Sequence, residues 1–389
     1  MHVHHHTTLQ SQGGTAQFAH NLMAWLARHD VTGSHTYEIQ DNASTGQCLS
    51  PFAVAEHVRN PGNLADDTAI VHLHGSADWP TCLDGFAATS HRLVLTLHDC
   101  RLLTGGCAYP LHCGAWKTGC QQDCPQNLAA HADHSRAVFR LLETLRPLLI
   151  SPSAWLSRMV REIHPQARIH TIPNAVPESL GPPASKSSEE KRIVKRELGI
   201  DAAGKVVLFV AHGGKQAMYK GGHLWERLWK RVKQGEPRAV AVAVGGNAIH
   251  RSGDFLELPY LDQERLLRCM DAADVLVYPS LADNHPLIIL EAMCRGLPCA
   301  AFASGGIPEQ VIHEQSGLLS PPGDMVSLAA SVLEILGNPR LGRQLAQAGR
   351  DRFIRLFQMD HMGRRHLRLY AESPLSRPDR AASRSSNVG

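Results

Sequence analysis

Short runs of apolar residues alternate along the chain with longer stretches whose apolar positions recur every three or four residues. The first pattern is typical of buried strands and the second of amphipathic helices. In the first half, strands are predicted at residues 1–8, Ala69–His74, Leu93–His98, Leu148–Ser151 and Ile169–Ile172, and helices at Thr15–Arg28 and Ala154–Ile163. This alternation predicts a parallel sheet with helices on both faces, the doubly wound α/β arrangement of a Rossmann-like domain.

The same alternation restarts after a segment rich in Pro, Gly and Ser, which is typical of a linker. Strands are predicted at Lys205–Val210, Ala239–Val244, Val275–Tyr278 and Pro298–Phe302, and helices at Gly222–Val232, Leu261–Ala273, Pro286–Cys294, Leu328–Leu336 and Leu341–Leu356. The predicted organisation is a domain at 1–177, a linker at 178–200, a second Rossmann-like domain at 201–355, a C-terminal helix at 356–372 and a disordered tail at 373–389. Because ligands bind at the carboxyl ends of parallel strands, we expect the two domains to face a central cleft.

Composition and charge narrow the class of protein. The 389 residues are 43% hydrophobic and 19% charged, which suffices for two cores. A net charge of +3 is too small to indicate a nucleic-acid binder. No apolar run approaches the roughly 20 residues that span a bilayer, and the histidine-rich N-terminus has no apolar export signal. We therefore expect a cytoplasmic protein whose ten cysteines are mostly reduced.

The strongest chemical signal follows the predicted strand Val275–Tyr278. A polar turn leads to Pro286, and proline is favoured at the first position of a helix. The free N–H groups at such a helix start can hold an anion, for example a sugar diphosphate. Asp283 precedes this helix and Glu291 lies one turn inside it, so the two carboxylates can contact the same ligand at different heights.

This segment resembles the signature of glycosyltransferase family 4, which consists of retaining enzymes with the GT-B fold. The residues in register are Pro279, Ser280, Asp283, Pro286, Glu291, Ala292, Met293, Gly296 and Pro298. Asp283 replaces the first glutamate of the signature, a variant that resembles relatives of the colanic-acid fucosyltransferases and shortens the side chain by one methylene. The resemblance implies that Glu291 binds the ribose hydroxyls and that Asp283 contacts the transferred sugar.

Other positions carry the same resemblance. Lys220 resembles the lysine that neutralises the donor phosphate, while the arginine usually found about six residues earlier is replaced by Gly214, with Lys215 as the expected substitute. His98, in a Thr-Leu-His-Asp sequence, resembles a histidine near the donor sugar and phosphate. His98, Lys220 and Asp283 are therefore the implied catalytic residues. The other implied donor-binding positions are Gly13 and Gly14 in a predicted loop, Asn284, His285, Leu287, Gly305 and Gly306.

A cysteine-rich insertion at 100–125 contains half of the ten cysteines and resembles an insertion in the fucosyltransferase-like subgroup. Four thiolates could hold a tetrahedral Zn²⁺, supplied by Cys107, Cys113, Cys120 and Cys124. No C-x-x-C pair is present, so structural zinc, free thiols and redox disulfides all remain open. A zinc ion with four protein ligands would be structural, and we expect no cofactor to be required for catalysis.

The resemblance implies a retaining transfer of a sugar from a GDP- or UDP-sugar donor to a glycan or lipid-linked oligosaccharide, in bacterial cell-surface polysaccharide synthesis. Two alternatives stay open, namely a non-catalytic partner that binds a nucleotide sugar and a nucleotide-sugar epimerase of the same architecture. A peripheral contact with the inner face of the membrane is a further hypothesis, with an ordinary core helix as its alternative. It is based on one helix that carries Arg136, Arg140 and Arg146 beside Phe139, Leu142 and Leu145.

Overall fold

The computed structural model describes residues 1–41, 47–60, 70–87, 89, 91–120, 124–126, 131–181, 188–211 and 218–372. These residues form two seven-stranded sheets flanked by helices, which confirms the predicted α/β architecture of two doubly wound units. Lys215 and the predicted disordered tail at 373–389 lie outside the described residues.

The first sheet is parallel throughout, with the strand order β3-β2-β1-β4-β5-β6-β7. Its strands are β1 (His2–Leu9), β2 (Thr32–Ile39), β3 (Gln47–Cys48), β4 (Ile70–Leu73), β5 (Arg92–Thr96), β6 (Leu148–Ser151) and β7 (Ile169–Thr171). The helices of this half are α1 (Gly13–Ala27), α2 (Pro51–Arg59), α3 (Trp79–Gly85), α4 (His131–Leu145) and α5 (Ala154–Ile163). The order places β1 and β4 at the centre of the sheet.

Successive residues of the central strands enter two different apolar cores. Val71 and Leu73 of β4 belong to one core, whereas Ile70 belongs to the other, which also contains Val3 of β1. This is the result of the two-residue repeat of a strand, whose side chains point alternately to the two faces of the sheet. The central strands are buried on both faces, yet they also carry buried histidines, namely His4, His5 and His6 on β1 and His72 on β4.

The second sheet has the order β10-β11-β9-β8-β12-β13-β14, and only β10 runs antiparallel among its described strands. Its strands are β8 (Lys205–Val210), β9 (Ala239–Gly246), β10 (His250–Ser252), β11 (Phe255–Pro259), β12 (Val275–Tyr278), β13 (Cys299–Phe302) and β14 (Leu318–Ser320). The helices are α6 (Ser188–Glu197), α7 (Trp225–Gly235), α8 (Gln263–Ala272), α9 (Leu287–Arg295), α10 (Ile307–Gln310), α11 (Met325–Gly337), α12 (Pro339–Leu356) and α13 (Met359–Ala371). Along β8, Val206 and Leu208 enter one core, and Val207 and Phe209 enter the other.

Two helices, α6 and α13, do not follow the predicted division of the chain into two domains joined by a linker. Within the predicted linker at 178–200, the structure forms α6, which packs on α8 of the second unit. The last helix, α13, returns to the first unit and packs on α1. Its residues Met362, Leu369 and Tyr370 belong to the same apolar core as Val3. The chain therefore crosses between the two units twice.

Candidate functional site

Two adjoining cavities lie where the carboxyl ends of the two sheets face each other. One, of about 330 Å³, is lined by both units, and the other, of about 450 Å³, is lined by the first unit. They share five lining residues, namely Gly13, Gly14, Thr15, His98 and Asp99. The two cavities therefore meet at the end of β5 and the start of α1, as expected for two substrates that must come into contact.

A partly buried ion pair between Lys220 and Asp283 lines the smaller cavity. Lys220 Nζ lies 3.0 Å from Asp283 Oδ2 and donates a hydrogen bond of 3.1 Å to the Tyr278 hydroxyl. That hydroxyl donates in turn to Asp283 Oδ2, at 2.7 Å. Burial disfavours the charged ammonium, but Asp283 outweighs this with help from two tyrosines, so the pKa of Lys220 is raised above its ordinary value. The structure thus brings together two of the three implied catalytic residues.

The turn before α7 delivers this lysine to the cleft. Gly221 has a φ of +75°, which favours glycine because other residues rarely adopt it. A Cβ atom at this position would lie 1.9 Å from the carbonyl oxygen of Pro279. The backbone of the turn therefore packs directly on the end of β12, and Lys220 reaches Asp283 from there.

Glu291 lies on the first turns of α9 and lines the same cavity. Only 5% of the residue is exposed, and Gln263 Nε2 donates to its Oε1 at 3.3 Å. Burial raises the pKa of Glu291 from its ordinary 4.5 to about 7 because desolvation disfavours the carboxylate, and the bond from Gln263 offsets only part of this. The carboxyl is therefore poised to gain from a ligand that donates hydrogen bonds to it.

His98 follows β5 and lines both cavities. Burial lowers its pKa to about 3, helped by the nearby His366, so the imidazole is neutral at physiological pH. The neighbouring Asp99 pairs with Arg101 at 2.7 Å. Burial nevertheless raises the pKa of the Asp99 carboxyl, with the Arg101 charge acting in the opposite direction. His98 is therefore placed between the two cavities as a neutral hydrogen-bonding group.

The predicted glycine loop leads directly into α1, which begins at Gly13 with Gln12 as its N-cap residue. Gly13 itself has a left-handed φ of +83°, which lies outside the helical region. Gly13 and Gly14 both line the two cavities, and Gly14 faces Leu287, the first residue of α9, with its missing Cβ position 3.9 Å from Leu287 Cδ1. Two helix starts, α1 and α9, are therefore directed at the smaller cavity, where their free N–H groups suit an anion.

Asn284 forms hydrogen bonds to the other unit, a role that the sequence did not predict. Its side-chain amide donates to the carbonyl of Leu97 at 2.8 Å and its Oδ1 accepts from the Ser153 hydroxyl, both in the first unit. Its backbone N–H donates to the Tyr109 hydroxyl at 3.2 Å. These bonds show that Asn284 joins the two units, while its expected contact with the donor stays a prediction. The sequence does not reveal this, since the partners are more than a hundred residues away.

His285 lines the smaller cavity; its Nδ1 and carbonyl contact protein groups, whereas its buried Nε2 has no hydrogen-bond partner among the described residues. Gln310 Nε2 lies 3.1 Å from its Nδ1, and Asn174 donates to its carbonyl at 2.8 Å. Burial lowers the pKa of His285 to about 3. Its position is as expected, while its contacts are structural.

Gly305 and Gly306 lie behind the cleft and are not among the lining residues of its cavities. A Cβ atom on Gly305 would lie 2.0 Å from the carbonyl oxygen of Asp283, and one on Gly306 would lie 1.8 Å from that of Asn284. The expected direct contact with the donor stays a prediction, and the glycines act at least on the backbone beside the cavity. These glycines allow their loop to pack against the backbone of the Asp283 turn and hold it in place.

Several aromatic and polar side chains of the site were missed in the sequence. Tyr219 and Tyr278 flank the lysine, and Gln263 holds Glu291. Tyr109 comes from the cysteine-rich insertion and lies with its ring 5.4 Å from that of Tyr219. The position of Tyr278 at the end of a buried strand was the available signal, since strand ends face the cleft. Tyr109 gave none, because its position depends on how the insertion folds.

The four cysteines of the insertion, Cys107, Cys113, Cys120 and Cys124, line one small cavity of about 20 Å³. All ten cysteines of the chain are free thiols in the structure. Four thiols suit zinc chemically. Among the described residues, however, the group whose ligand atoms lie within 4.8 Å of one another is His5, His72 and His74. Structural zinc at the cysteines therefore stays a proposal.

The helix considered for membrane contact is α4. Val138 and Leu142 on its apolar side belong to a core of the first unit, and the Phe139 ring stacks on His164 at 4.4 Å. This packing favours the core-helix alternative. None of the helices in the described ranges is long and apolar enough to cross a membrane.

Comparison with known proteins identifies a matching family and similar proteins. The family profile described as "Glycosyl transferases group 1" matches residues 190–352. The chain is 27% identical over 334 residues to alpha-maltose-1-phosphate synthase of Mycolicibacterium smegmatis, covering 80% of this chain and 81% of the relative. It is 27% identical over 246 residues to the putative colanic acid biosynthesis glycosyl transferase WcaC of Escherichia coli, covering 58% of this chain and 55% of that protein.

Solved structures match over nearly the whole chain. HepE of Anabaena in complex with UDP-glucose superposes with a TM-score of 0.72 at 17% identity, covering 95% of this chain and 99% of HepE. Sucrose-phosphate synthase from Thermosynechococcus elongatus superposes with a TM-score of 0.70 at 19% identity, covering 95% and 98%. These likenesses show the fold, and they confirm the GT-B architecture expected from the sequence.

Proposed function

We propose that this chain, a glycosyltransferase of the GT-B fold with a glycosyl transferases group 1 domain at residues 190–352, transfers a sugar from a nucleoside diphosphate to a carbohydrate acceptor. In this proposal the anomeric configuration of the sugar is retained. The observation that carries the proposal is the meeting of two cavities at His98, one of which contains Lys220, Asp283 and Glu291. A one-substrate epimerase has no need for the second cavity.

The smaller cavity suits the donor. The buried Glu291 carboxyl can accept hydrogen bonds from the ribose hydroxyls. The diphosphate lies in this proposal between Lys220 and the N-terminus of α9, which both favour negative charge. Asp283 is held by Tyr278 and Lys220 with one oxygen, Oδ2, and its Oδ1 is directed in the proposal to a hydroxyl of the transferred sugar.

The larger cavity suits a neutral sugar. Its two oppositely charged residues, Asp99 and Arg101, neutralise each other in a 2.7 Å pair. The rest of the polar lining consists of hydroxyls, amides and imidazoles, the groups that hydrogen-bond sugar hydroxyls. WcaC carries a name that assigns it to colanic acid biosynthesis, and HepE has been solved with UDP-glucose. We propose by extension a UDP- or GDP-sugar donor and a glycan or lipid-linked acceptor in cell-surface polysaccharide synthesis.

The chemistry proposed is a front-face displacement. The bond between the anomeric carbon and the diphosphate oxygen breaks as the acceptor oxygen bonds to the same face of that carbon, and the acceptor proton passes to the departing diphosphate. Lys220 and the start of α9 stabilise the charge that develops on the diphosphate. Asp283 is occupied by Lys220 and Tyr278, so it is better suited to orient the sugar than to act as a nucleophile.

The test is turnover of a panel of UDP-, GDP-, ADP- and dTDP-sugars with mono- and oligosaccharide acceptors, followed by release of nucleoside diphosphate and by NMR of the product anomer. Lys220→Met should lower kcat at least about a hundredfold, because a charge at the leaving group is lost. Lys230→Met, a substitution of an exposed lysine on α7, is the matched control. A product of inverted configuration would refute retention, and donor conversion without transfer would favour the epimerase.

A further inference from the structure

A chain of buried histidines runs from the cleft into the first unit. His98 Nε2 lies 3.3 Å from His74 Nδ1. His74 Nε2 lies 2.9 Å from His5 Nδ1. His5 is on the central strand β1, and His74 directly follows the neighbouring strand β4, so two adjacent strands hold the chain in place. Both residues are almost completely buried, at 0% and 2% exposure.

The two ends of this chain of histidines differ in their hydrogen-bond partners. His5 Nε2 is buried and has no hydrogen-bond partner among the described residues. At the other end, His98 lines both cavities and uses Nε2 for His74, so Nδ1 is the ring nitrogen that remains for a ligand. His74, the one imidazole between these ends, uses both of its ring nitrogens in the chain. The protonation of one ring therefore decides that of the next.

All three rings are neutral. Burial lowers the pKa of His5 and of His98 to about 3, and lowers that of His74 well below its ordinary value. Neighbouring histidines lower each of these values further. A neutral imidazole donates with one nitrogen and accepts with the other, which leaves two uniform arrangements of the chain.

The arrangements differ in what they leave at His5. If each ring carries its proton on Nε2, His5 has a buried N–H group without an acceptor. If each ring carries its proton on Nδ1, His5 has only a bare acceptor nitrogen there. Orphaned buried N–H groups are rarer than unsatisfied acceptors, so the second arrangement is favoured. In it, His5 donates to His74, His74 donates to His98, and His98 carries its proton on Nδ1.

We propose that His74 and His5 are positioning residues that fix His98 as the Nδ1–H tautomer, so that His98 presents a hydrogen-bond donor to the cleft. The proposal extends the proposed glycosyl transfer, since the partner of that donor would be an oxygen of the transferred sugar or of the leaving diphosphate. A donor aimed at developing negative charge accelerates the reaction, whereas a bare nitrogen would repel it. His5 on β1 thus influences the tautomer of His98, although His5 itself does not line the cleft.

A metal ion is the competing use of these residues, because His5, His72 and His74 have ligand atoms within 4.8 Å of one another. His72, however, has both nitrogens engaged, with Thr96 Oγ1 at 2.7 Å and the Tyr370 hydroxyl at 2.6 Å. A cation ligated by His72 would break one of these bonds. The hydrogen-bonded chain needs no such change.

The first test is spectroscopic and uses the full chain labelled with ¹⁵N-histidine. Long-range ¹H–¹⁵N correlation spectra distinguish the two neutral tautomers, and the signal that disappears in His98→Gln identifies His98. We expect His98 to be the Nδ1–H tautomer at pH 7, and to revert in His74→Leu to the Nε2–H form that histidine favours in water. A wild-type His98 in the Nε2–H form overturns the proposal, as does a stoichiometric metal ion in the purified protein that is kept in Cys113→Ser and lost in His74→Leu.

The second test uses a matched pair at His74. An asparagine amide occupies the place of Nδ1 and can still donate to His98 Nε2, whereas leucine cannot. We expect His74→Leu to lower kcat on the order of tenfold or more with little change in KM for the donor, and His74→Asn to recover most of it. Equal loss in two variants with native thermal midpoints overturns the proposal. Wild-type protein that turns over no nucleotide sugar contradicts the proposed function instead, and the spectrum still decides the tautomer.

Discussion

We expect the raised pKa of Glu291 to make the affinity for a nucleotide sugar depend on pH. Desolvation raises this pKa from 4.5 to about 7, which corresponds to roughly 3 kcal/mol against ionisation. About one tenth of the carboxyls are therefore ionised at pH 6 and about nine tenths at pH 8. If the ribose hydroxyls donate to the carboxylate, the donor should bind about tenfold more tightly at pH 8 than at pH 6, with release of a proton at the lower pH.

Calorimetric titration with the best nucleotide sugar of the panel measures this directly, from pH 6 to pH 8. A nucleotide sugar is preferable to a free diphosphate, whose terminal phosphate titrates in the same range. Glu291→Gln keeps the shape and an acceptor oxygen but does not ionise, so its affinity should not change with pH. A slope that is equal in the variant and in wild type, or a flat wild type, would refute the assignment of the ribose to Glu291.

The same carboxyl has the opposite effect on stability. Because its pKa is higher in the folded chain than in the unfolded chain, its contribution is fully present below pH 4.5 and is lost as the pH rises to about 7. Glu291→Gln removes this loss and should raise the thermal midpoint of the ligand-free protein at pH 8, while weakening donor binding. The site would thus trade stability for affinity.

Three further substitutions test other parts of the structure. Gly221→Ala forces a Cβ into a carbonyl oxygen and should lower the free energy of unfolding, measured by chemical denaturation, by more than about 3 kcal/mol. Gly253→Ala is the control, because Gly253 also has a positive φ but no atom lies within 4 Å of its Cβ position, and it should cost about 1–2 kcal/mol. Equal losses in the two variants would contradict the packing argument. Asn284→Ala removes bonds between the units and should cost about 1–3 kcal/mol and increase the radius of gyration in X-ray scattering; unchanged scattering would argue against its joining part. If zinc binds the insertion, metal analysis should find one ion per chain that is lost in Cys113→Ser and kept in Cys48→Ser; zinc-free, folded wild type would end that proposal.

The sequence predicts the strands that are buried on both faces of the sheets. It does not predict the strands that are short or partly exposed, namely β2, β3, β10, β11 and β14. Apolar runs such as Lys205–Val210 leave few other choices, and the structure has this strand with the same bounds. That Asp283 and Glu291 line the same cavity was also predictable. The spacing of Asp283 and Glu291 across one helix start fixes their relative positions locally, so a linear motif suffices.

Residues whose role depends on distant partners could not be assigned. Asn284 was placed with the donor because it is next to Asp283, but its partners lie in the other unit. The glycine pair Gly305 and Gly306 looked like a ligand loop, since the sequence does not show which backbone it approaches. His5 and His74 are 69 positions apart, and only the parallel pairing of their strands brings the rings together.

The two crossings between the units lie side by side. Val176, at the first crossing, forms an isolated parallel bridge with Gln358, at the second. If the cleft opens, backbone torsions must change at this paired segment, which is therefore the hinge between the two units. It also means that the chain cannot be split into two self-sufficient halves by one cut. A fragment that ends before Met359 would lack one wall of the first core, and a design of the acceptor-side unit alone would have to graft α13 back onto it.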